Sequence, residues 1–425
     1  MRRARESSIG SVTEPKAPRA RNAALTGADR AHGATTGEAA ARLRHNAVET
    51  LPEGALERQL LDGRPLRVKL GIDPTAPDIH LGHTVVLGKL REFQDLGHVV
   101  VLIIGDYTAR VGDPSGRSAA RPVLDPDEID RNAEAFTSQA FKILDPGRTE
   151  VRRNGEWLDM PMEHLFRLAR SATVAQLLER DDFAKRHAAH DPISILELLY
   201  PLLQGFDSVA VRADVEIGGT DQKFNLLLGR AIQSAYGMPS QSVLTMPILP
   251  GIDGLRRMAK SAGNYVGVTE PPEEMFGKLM RLPDSAMPTY YELLLGSPLD
   301  DTRPAVELKR FLARSLTARF HGDAAATAAE ARFDRLHVER AAPEQIDHVV
   351  LPDQDPVHLP ALIADHFGLS RSEARRLISQ GGVRLDGVAL GAPDLDVAAK
   401  RLDGAVLSLG KRRFRRFLRR PSGAV

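Results

Sequence analysis

From residue 66 the chain alternates, with Leu66, Val68, Leu70 and Ile72 apolar and polar or small residues between them, the period of a half-buried strand. A helical period follows, placing Val86, Leu90 and Phe93 on one face, and Gly97 stands where such a helix stops. The unbroken apolar run from Val99 to Ile104 then predicts a buried strand. Strand, turn, helix, strand is a βαβ unit, and ligands of open parallel sheets sit at the carboxyl ends of strands. The turn Asp73-Pro74-Thr75-Ala76-Pro77-Asp78-Ile79-His80-Leu81-Gly82-His83-Thr84 occupies that place.

The same reading continues along the chain. Pro126 to Leu144 predicts a helix whose buried stripe is Ile129, Ala133, Phe136, Ala140 and Leu144. Ile193 to Leu203 predicts a buried helix, and Asp214 to Gly219 a strand ending in paired glycines, with a helix starting at Thr220. Residues from Glu270 to about Ala342 read as helical, with amphipathic runs at Tyr290 to Leu294 and Phe311 to Phe320. Pro343 to Pro356 reads as a proline-punctuated linker. Beyond it, Ser370 caps a basic helix, and Gly381-Gly382-Val383-Arg384-Leu385-Asp386-Gly387 supplies turn, strand and turn, so residues 357–425 form a small α+β module. The expected organisation is an unstructured extension over 1–40, an α/β domain over 41–266, helices over 267–342, the linker, and this module.

Composition adds limits. The 425 residues are 42% hydrophobic and 27% charged, an ordinary globular balance, and no apolar run approaches the length of a membrane span. With no cysteine, disulfides and thiolate metal sites are excluded, which fits a cytoplasmic protein. A net charge of +1 means that any affinity for nucleic acid comes from local patches, and one stands at Lys411 to Arg420 with Phe414 and Phe417 interleaved. Residues 1 to 40 lack apolar periodicity and read as disordered; their arginines faintly resemble a targeting peptide, without the apolar core of a secretory signal.

The helix after the first turn would aim its free N–H groups at a ligand, and Gly82 would let a planar base approach. Thr75, His80 and His83 can donate hydrogen bonds to phosphate or ribose oxygens. Two plainer readings stand beside this one: a capped helix start, or a histidine pair on a metal, although no cysteine and no H-E-x-x-H accompany it. Neither the dinucleotide fingerprint nor a P-loop is present. Asp113 in Gly112-Asp113-Pro114-Ser115-Gly116 is either a fixed carboxylate for an ammonium group or an Asp-Pro turn. Tyr200, Gln204 and Asp207 fall on one helical face, able to bind a small polar molecule or to form a solvated edge. Asp221 and Gln222 could hold a ribose or an amino acid. The loop Gly254 to Asn264 has Met258 as its apolar pin and Arg257 and Lys260 as cations that could close over a triphosphate. Trp157, the only tryptophan, reads as a packing anchor.

Taken in order, these motifs resemble a known family. His80-Leu81-Gly82-His83 is similar to the first signature of class I aminoacyl-tRNA synthetases, and Arg257-Met258-Ala259-Lys260-Ser261 to the second. The motifs at Asp113, at Tyr200 to Asp207 and at Gly218 to Gln222 narrow the resemblance to the bacterial-type tyrosyl-tRNA synthetases, and residues to about 420 extend it. The resemblance implies a Rossmann-like parallel-sheet catalytic domain, a helical domain on the anticodon side, and an S4-like RNA-binding module. It implies that Asp113, Tyr200 and Gln204 hold the substrate ammonium and that Asp207 accepts the phenol proton. Asp73, Asp221 and Gln222 would orient tyrosine and ribose, and Thr75, His80, Gly82, His83, Arg257 and Lys260 would serve the nucleotide and its α-phosphate. Arg371, Arg375, Arg376 and Arg384 would contact RNA phosphates. ATP with Mg2+, L-tyrosine and tyrosine tRNA are the implied substrates, a homodimer the implied assembly, and no editing insertion is seen.

Three positions depart from the family pattern. The second signature commonly carries Lys and Ser where Arg257 and Ala259 stand, and Lys69, placed among the tyrosine-binding residues, stands where one branch has a tyrosine. The rival readings are a tryptophanyl-tRNA synthetase or other nucleotidyltransferase with this first signature, and a non-catalytic RNA-binding protein, for which Ala259 is the hint.

Overall fold

Glu49–Leu51 (β1), Arg67–Ile72 (β2), Val99–Ile104 (β3), Thr149–Arg153 (β4), Val215–Gly219 (β5) and Ser242–Met246 (β6) form one sheet in the order β1-β6-β5-β2-β3-β4. All neighbours are parallel except β1 on β6. The chain builds outward from β2 to β4 on one side, then returns to lay β5 and β6 on the other. The order reverses between β2 and β5, and a crevice opens there at their carboxyl ends. The computed structural model describes residues 35–113, 125–337, 346–410 and 413–419.

Helices Thr36–Arg44 (α1), Leu81–Asp95 (α2), Pro126–Ala140 (α3), Met162–Ala169 (α4), Ile195–Ala210 (α5) and Lys223–Ala235 (α6) cover the sheet. The expected βαβ unit is β2, α2 and β3, with Gly97 at φ 91° just beyond the helix. Leu66, Val68, Leu90 and Phe93 are fully buried, whereas Val86 is half-buried at the rim of the crevice. Helix α1 enters the stretch expected to lack structure up to residue 40. Thr35 and Glu38 form a reciprocal capping box there, a start signal hidden in Ala- and Arg-rich sequence; residues 1–34 lie outside the described residues.

Helices Pro272–Met280 (α7), Ala305–His321 (α8) and Asp323–His337 (α9) follow. They bury Phe276, Leu279, Leu312 and Leu316 in the same apolar cluster as Leu81 and Phe93. The last module has a core of its own, including Leu359, Ile363, Ile378, Val383 and Phe417. There Leu359–Phe367 (α10) packs on Arg371–Ser379 (α11), beside strands His348–Val350 (β7), Val383–Leu385 (β8), Val388–Ala389 (β9), Val406–Leu409 (β10) and Arg413–Leu418 (β11). Strand β7 corrects the expected linker over 343–356, because it pairs with β11 in parallel and forms the edge of the sheet; residues 343–345 lie outside the described residues. Of the aromatics interleaved in the basic run Phe417 is buried in the core, and Arg415 is paired with Asp347 at 2.9 Å; Lys411, Arg412 and Arg420 lie outside the described residues.

Candidate active site

The crevice holds two joined cavities of about 300 and 540 Å³, which share Asp73, Thr75, His83 and Asp221 on their walls. The smaller is the amino-acid-sized one. Asp73 leaves the end of β2 and takes two donors, the Tyr200 hydroxyl at 2.9 Å and the Thr108 hydroxyl at 2.7 Å. Gly105, at the end of β3, makes this possible. A Cβ there would lie 2.1 Å from Asp73 Oδ1 and 2.4 Å from Thr108 Oγ1. Burial, with Asp73 and Asp113 nearby, pushes the Tyr200 phenol well above its ordinary value, so it stays a donor.

Gln222 Nε2 donates to Asp113 at 3.1 Å, and Arg180 stands 3.7 Å from the same carboxylate. Asn225 Nδ2 bridges Gln204 Oε1 at 2.8 Å and Gln222 Oε1 at 3.2 Å, so an amide chain fixes the amides of α5 and of the β5–α6 turn. Tyr200, Gln204 and Asp207 do converge from one face of α5, whose start is set by the Ser194–Glu197 capping box.

At the far end Asp207 is buried. Trp157 donates its Nε1–H to Oδ1 at 2.8 Å and Asn154 Nδ2 approaches Oδ2 at 3.5 Å. Burial pushes the Asp207 carboxyl up to about 6, opposed by the Lys69 charge and these hydrogen bonds. Trp157 is therefore more than packing. Both it and Asn154 follow the end of β4, and their position after a parallel strand was the signal that could have found them. Lys69 does not line the cavity; it lies beneath the floor, fully buried.

The larger cavity lies under the second basic loop. His80 caps α2, its Nδ1 accepting Gly82 N–H at 3.2 Å, while His83 Nδ1 accepts His80 N–H at 3.2 Å. The capped start is thus real, and the Gly82 donor expected to face a ligand is taken by His80. Burial lowers His80 to about 2 and His83 to about 4, with His83 and Arg257 adding to the effect on His80. Both rings are neutral at pH 7, and with Nδ1 engaged each keeps an Nε2–H to donate. The two rings, 3.9 Å between centroids and tilted by 32°, edge the cavity beside Thr75, Arg257 and Lys260.

Met258 pins the loop as expected and is buried in the main core. Arg257 Nη1 rests 3.4 Å from Asp221, and Lys260 Nζ rests 2.5 Å from Asp78. Asn264 Oδ1 accepts the Ala259 N–H at 2.9 Å, and its amide donates to Asp253 at 3.0 Å and to the Arg257 carbonyl at 3.1 Å. In the last module Arg371, Arg375, Arg376 and Arg384 are all exposed.

A polar pocket ending in a buried carboxylate, opening onto a cavity edged by neutral histidines and loop cations, suits activation of a small amino acid by a nucleotide. The profile of the family described as tRNA synthetases class I (W and Y) matches residues 61–338, and that of the S4 domain matches residues 359–394. The chain belongs to these class I tRNA synthetases. Within them its relatives are tyrosine–tRNA ligases: it is 48% identical over 392 residues to that of Moorella thermoacetica, covering 88% of this chain and 94% of the relative. It is 49% identical over 386 residues to that of Oleidesulfovibrio alaskensis, covering 88% and 96%. The fold agrees with tyrosyl-tRNA synthetase of Archaeoglobus fulgidus complexed with L-tyrosine, at TM-score 0.59 and 22% identity over 70% of this chain and 99% of that one.

Proposed function

We infer that the chain activates L-tyrosine with MgATP to tyrosyl-adenylate and pyrophosphate, then transfers tyrosine to the 3′-terminal adenosine of tyrosine tRNA. The observation that carries this reading is Asp207, a buried acceptor held by Trp157 and Asn154 where a para-hydroxyl would end. Asp113, Tyr200 and Gln204 hold the ammonium, while Asp73, Asp221 and Gln222 orient the amino acid and the ribose. The substrate carboxylate is already an anion and needs no base. One of its oxygens bonds to the α-phosphorus as the bridging P–O bond breaks and pyrophosphate departs with the electron pair. Thr75, the Nε2–H groups of His80 and His83, Arg257 and Lys260 stabilise charge on the phosphate oxygens in that step.

In the same reading Mg2+ arrives with ATP, and Arg371, Arg375, Arg376 and Arg384 position tRNA through phosphates. A second copy of the chain covers the apolar side chains that α4 and α5 expose, Met162, Phe166, Ile195 and Leu196, on helices that pack together. A sedimentation mass of one chain would exclude this assembly. The cytoplasm is its place of work, in keeping with a chain free of cysteine. The deciding experiment is amino-acid-dependent exchange of labelled pyrophosphate into ATP. Exchange with tyrosine and not with phenylalanine or tryptophan is expected; exchange with tryptophan, or with none, would overturn the reading.

A further inference from the structure

Lys69 and Glu216 are direct partners across the parallel pair β2 and β5, on the face of the sheet beneath α5. Their side chains are 0% and 2% exposed and stand 2.8 Å apart. The Lys69 ammonium spends its three donors inside the protein: on Glu216 Oε1, on the Gln204 carbonyl at 2.9 Å and on the Ser208 hydroxyl at 2.9 Å. Glu216 Oε2 in turn accepts the Ser208 hydroxyl at 3.1 Å and the Gln241 amide. Glycine at 229 leaves room for this cluster, since a Cβ there would stand 3.0 Å from Gln241 Nε2 and 3.3 Å from Glu216 Oε2.

Gln204 and Ser208 bracket one turn of α5, and that turn carries Asp207. A lysine buried beside a glutamate is costly to hold in a core, where apolar residues of the same volume often serve stability as well or better. Its place under this turn gives it a different use. We propose that the Lys69–Glu216 pair is a specificity-determining element that docks the Gln204–Ser208 turn on the sheet and sets a positive charge behind the Asp207 carboxylate. Lys69 is a positioning residue, not a contact of the amino acid. The inference rests on the reading of Asp207 as the acceptor of the phenol.

Other charges face the same carboxylate. Asp73 and Asp113 share its cavity with Tyr200 and Asp221, and Glu216 itself opposes ionisation of Asp207. Lys69 outweighs Glu216 in its effect on Asp207. Neutralising the pair therefore favours the protonated acid, and removing Glu216 alone favours the carboxylate.

The test is kcat/KM for tyrosine and for phenylalanine in pyrophosphate exchange, from about pH 5.5 to 8.5, where kcat/KM reports ionisations of the free enzyme. For the unsubstituted chain, kcat/KM for tyrosine falls below about pH 6 and that for phenylalanine stays level. In Lys69→Met/Glu216→Gln, which leaves no buried orphan charge, the tyrosine fall moves up by about one unit, equivalent to about tenfold in the ionised-to-protonated ratio. Selectivity, about halved at pH 7, then returns at pH 8.5, a recovery that a merely structural role would not produce. Glu216→Gln alone moves the fall downward and decides the matter if the double variant does not fold. A tyrosine profile unmoved in the folded variants, or an equal loss for both amino acids at every pH, overturns the inference. No exchange with tyrosine in the unsubstituted chain would instead remove the underlying reading, and the inference with it.

Discussion

Lys260 of the second signature lies 2.5 Å from Asp78, two residues before the first signature, so a carboxylate already occupies the cation that a triphosphate would engage. Arg257 is held in the same manner by Asp221. ATP must displace both contacts, and both are partly exposed, which keeps displacement inexpensive. Asp78→Asn is expected to lower KM for ATP by about two- to fivefold, the value of an exposed ion pair. An unchanged or raised KM would mean that Asp78 plays no part in holding the loop back.

Lys260→Ala is expected to slow adenylate formation by about 100-fold or more, while tyrosine binding in the absence of ATP stays within about twofold. Single-turnover kinetics beside equilibrium titration with tyrosine separates the two. Matching losses would place Lys260 in ground-state binding.

Asp207→Asn removes an ionised acceptor and is expected to cut the preference for tyrosine over phenylalanine by about 10- to 100-fold, as for hydrogen bonds to charged groups. The pH profile gives a second check. A carboxyl raised to about 6 accepts the phenol proton above that pH and loses the capacity as the pH falls through it. His80 and His83 are neutral down to about 4 and add no limb in this range. The acid limb therefore vanishes in Asp207→Asn, and its survival there would assign it elsewhere.

Ala259 removes a hydroxyl from the second signature, yet the loop is held at that position through its backbone by Asn264. Ala259→Ser should change KM for ATP by less than about threefold, whereas Asn264→Ala, which breaks bonds to Ala259, Asp253 and Arg257, should raise it by about tenfold or more. The reverse ranking would restore the hydroxyl to importance and Ala259 as a mark of lost activity.

The last module has a separate core, and its sheet begins at His348, so the cut that spares both parts falls before residue 346. Removing residues 346–425 should leave pyrophosphate exchange within about twofold and reduce charging of tRNA by about 100-fold or more. Loss of exchange as well would give the module a structural duty.

What the sequence disclosed, and what it hid, divides along a physical line. The period of two in β2 and the helical period in α2 are local, and both elements stand where the pattern predicts, although β2 is not half-buried: Lys69 is as buried as Val68 and Leu70. Tyr200, Gln204 and Asp207 share a helix, so spacing put them on one face, while whether that face met a pocket or solvent was left to the packing around it. Asn154 and Trp157 after β4, Asn225 on α6 and Arg180 reach the site from elements other than α5, and no spacing joins residue 154 to residue 207. Lys69 is the sharpest case, because alternation within β2 marks it as polar but only the pairing of β2 with β5 sets it against Glu216. Thr35 and His348 escape a reading of the sequence because a capping box and a three-residue strand are weaker signals than the Ala-rich and Pro-rich composition around them.

Gly105 allows Asp73 its position by having no side chain, and that bears on how such a pocket can change over generations. At the Asp207 end, function rests on side chains that are present, and one exchange can be answered by another in a neighbouring strand, as Lys69 and Glu216 already suggest. At the Asp73 end, every replacement of Gly105 puts a Cβ 2.1 Å from a carboxylate oxygen and 2.4 Å from the Thr108 hydroxyl, so both must leave their places together. In the proposed reading, the half of the pocket that handles the part common to all amino acids is the more constrained. The half that reads the side chain is left free to diverge.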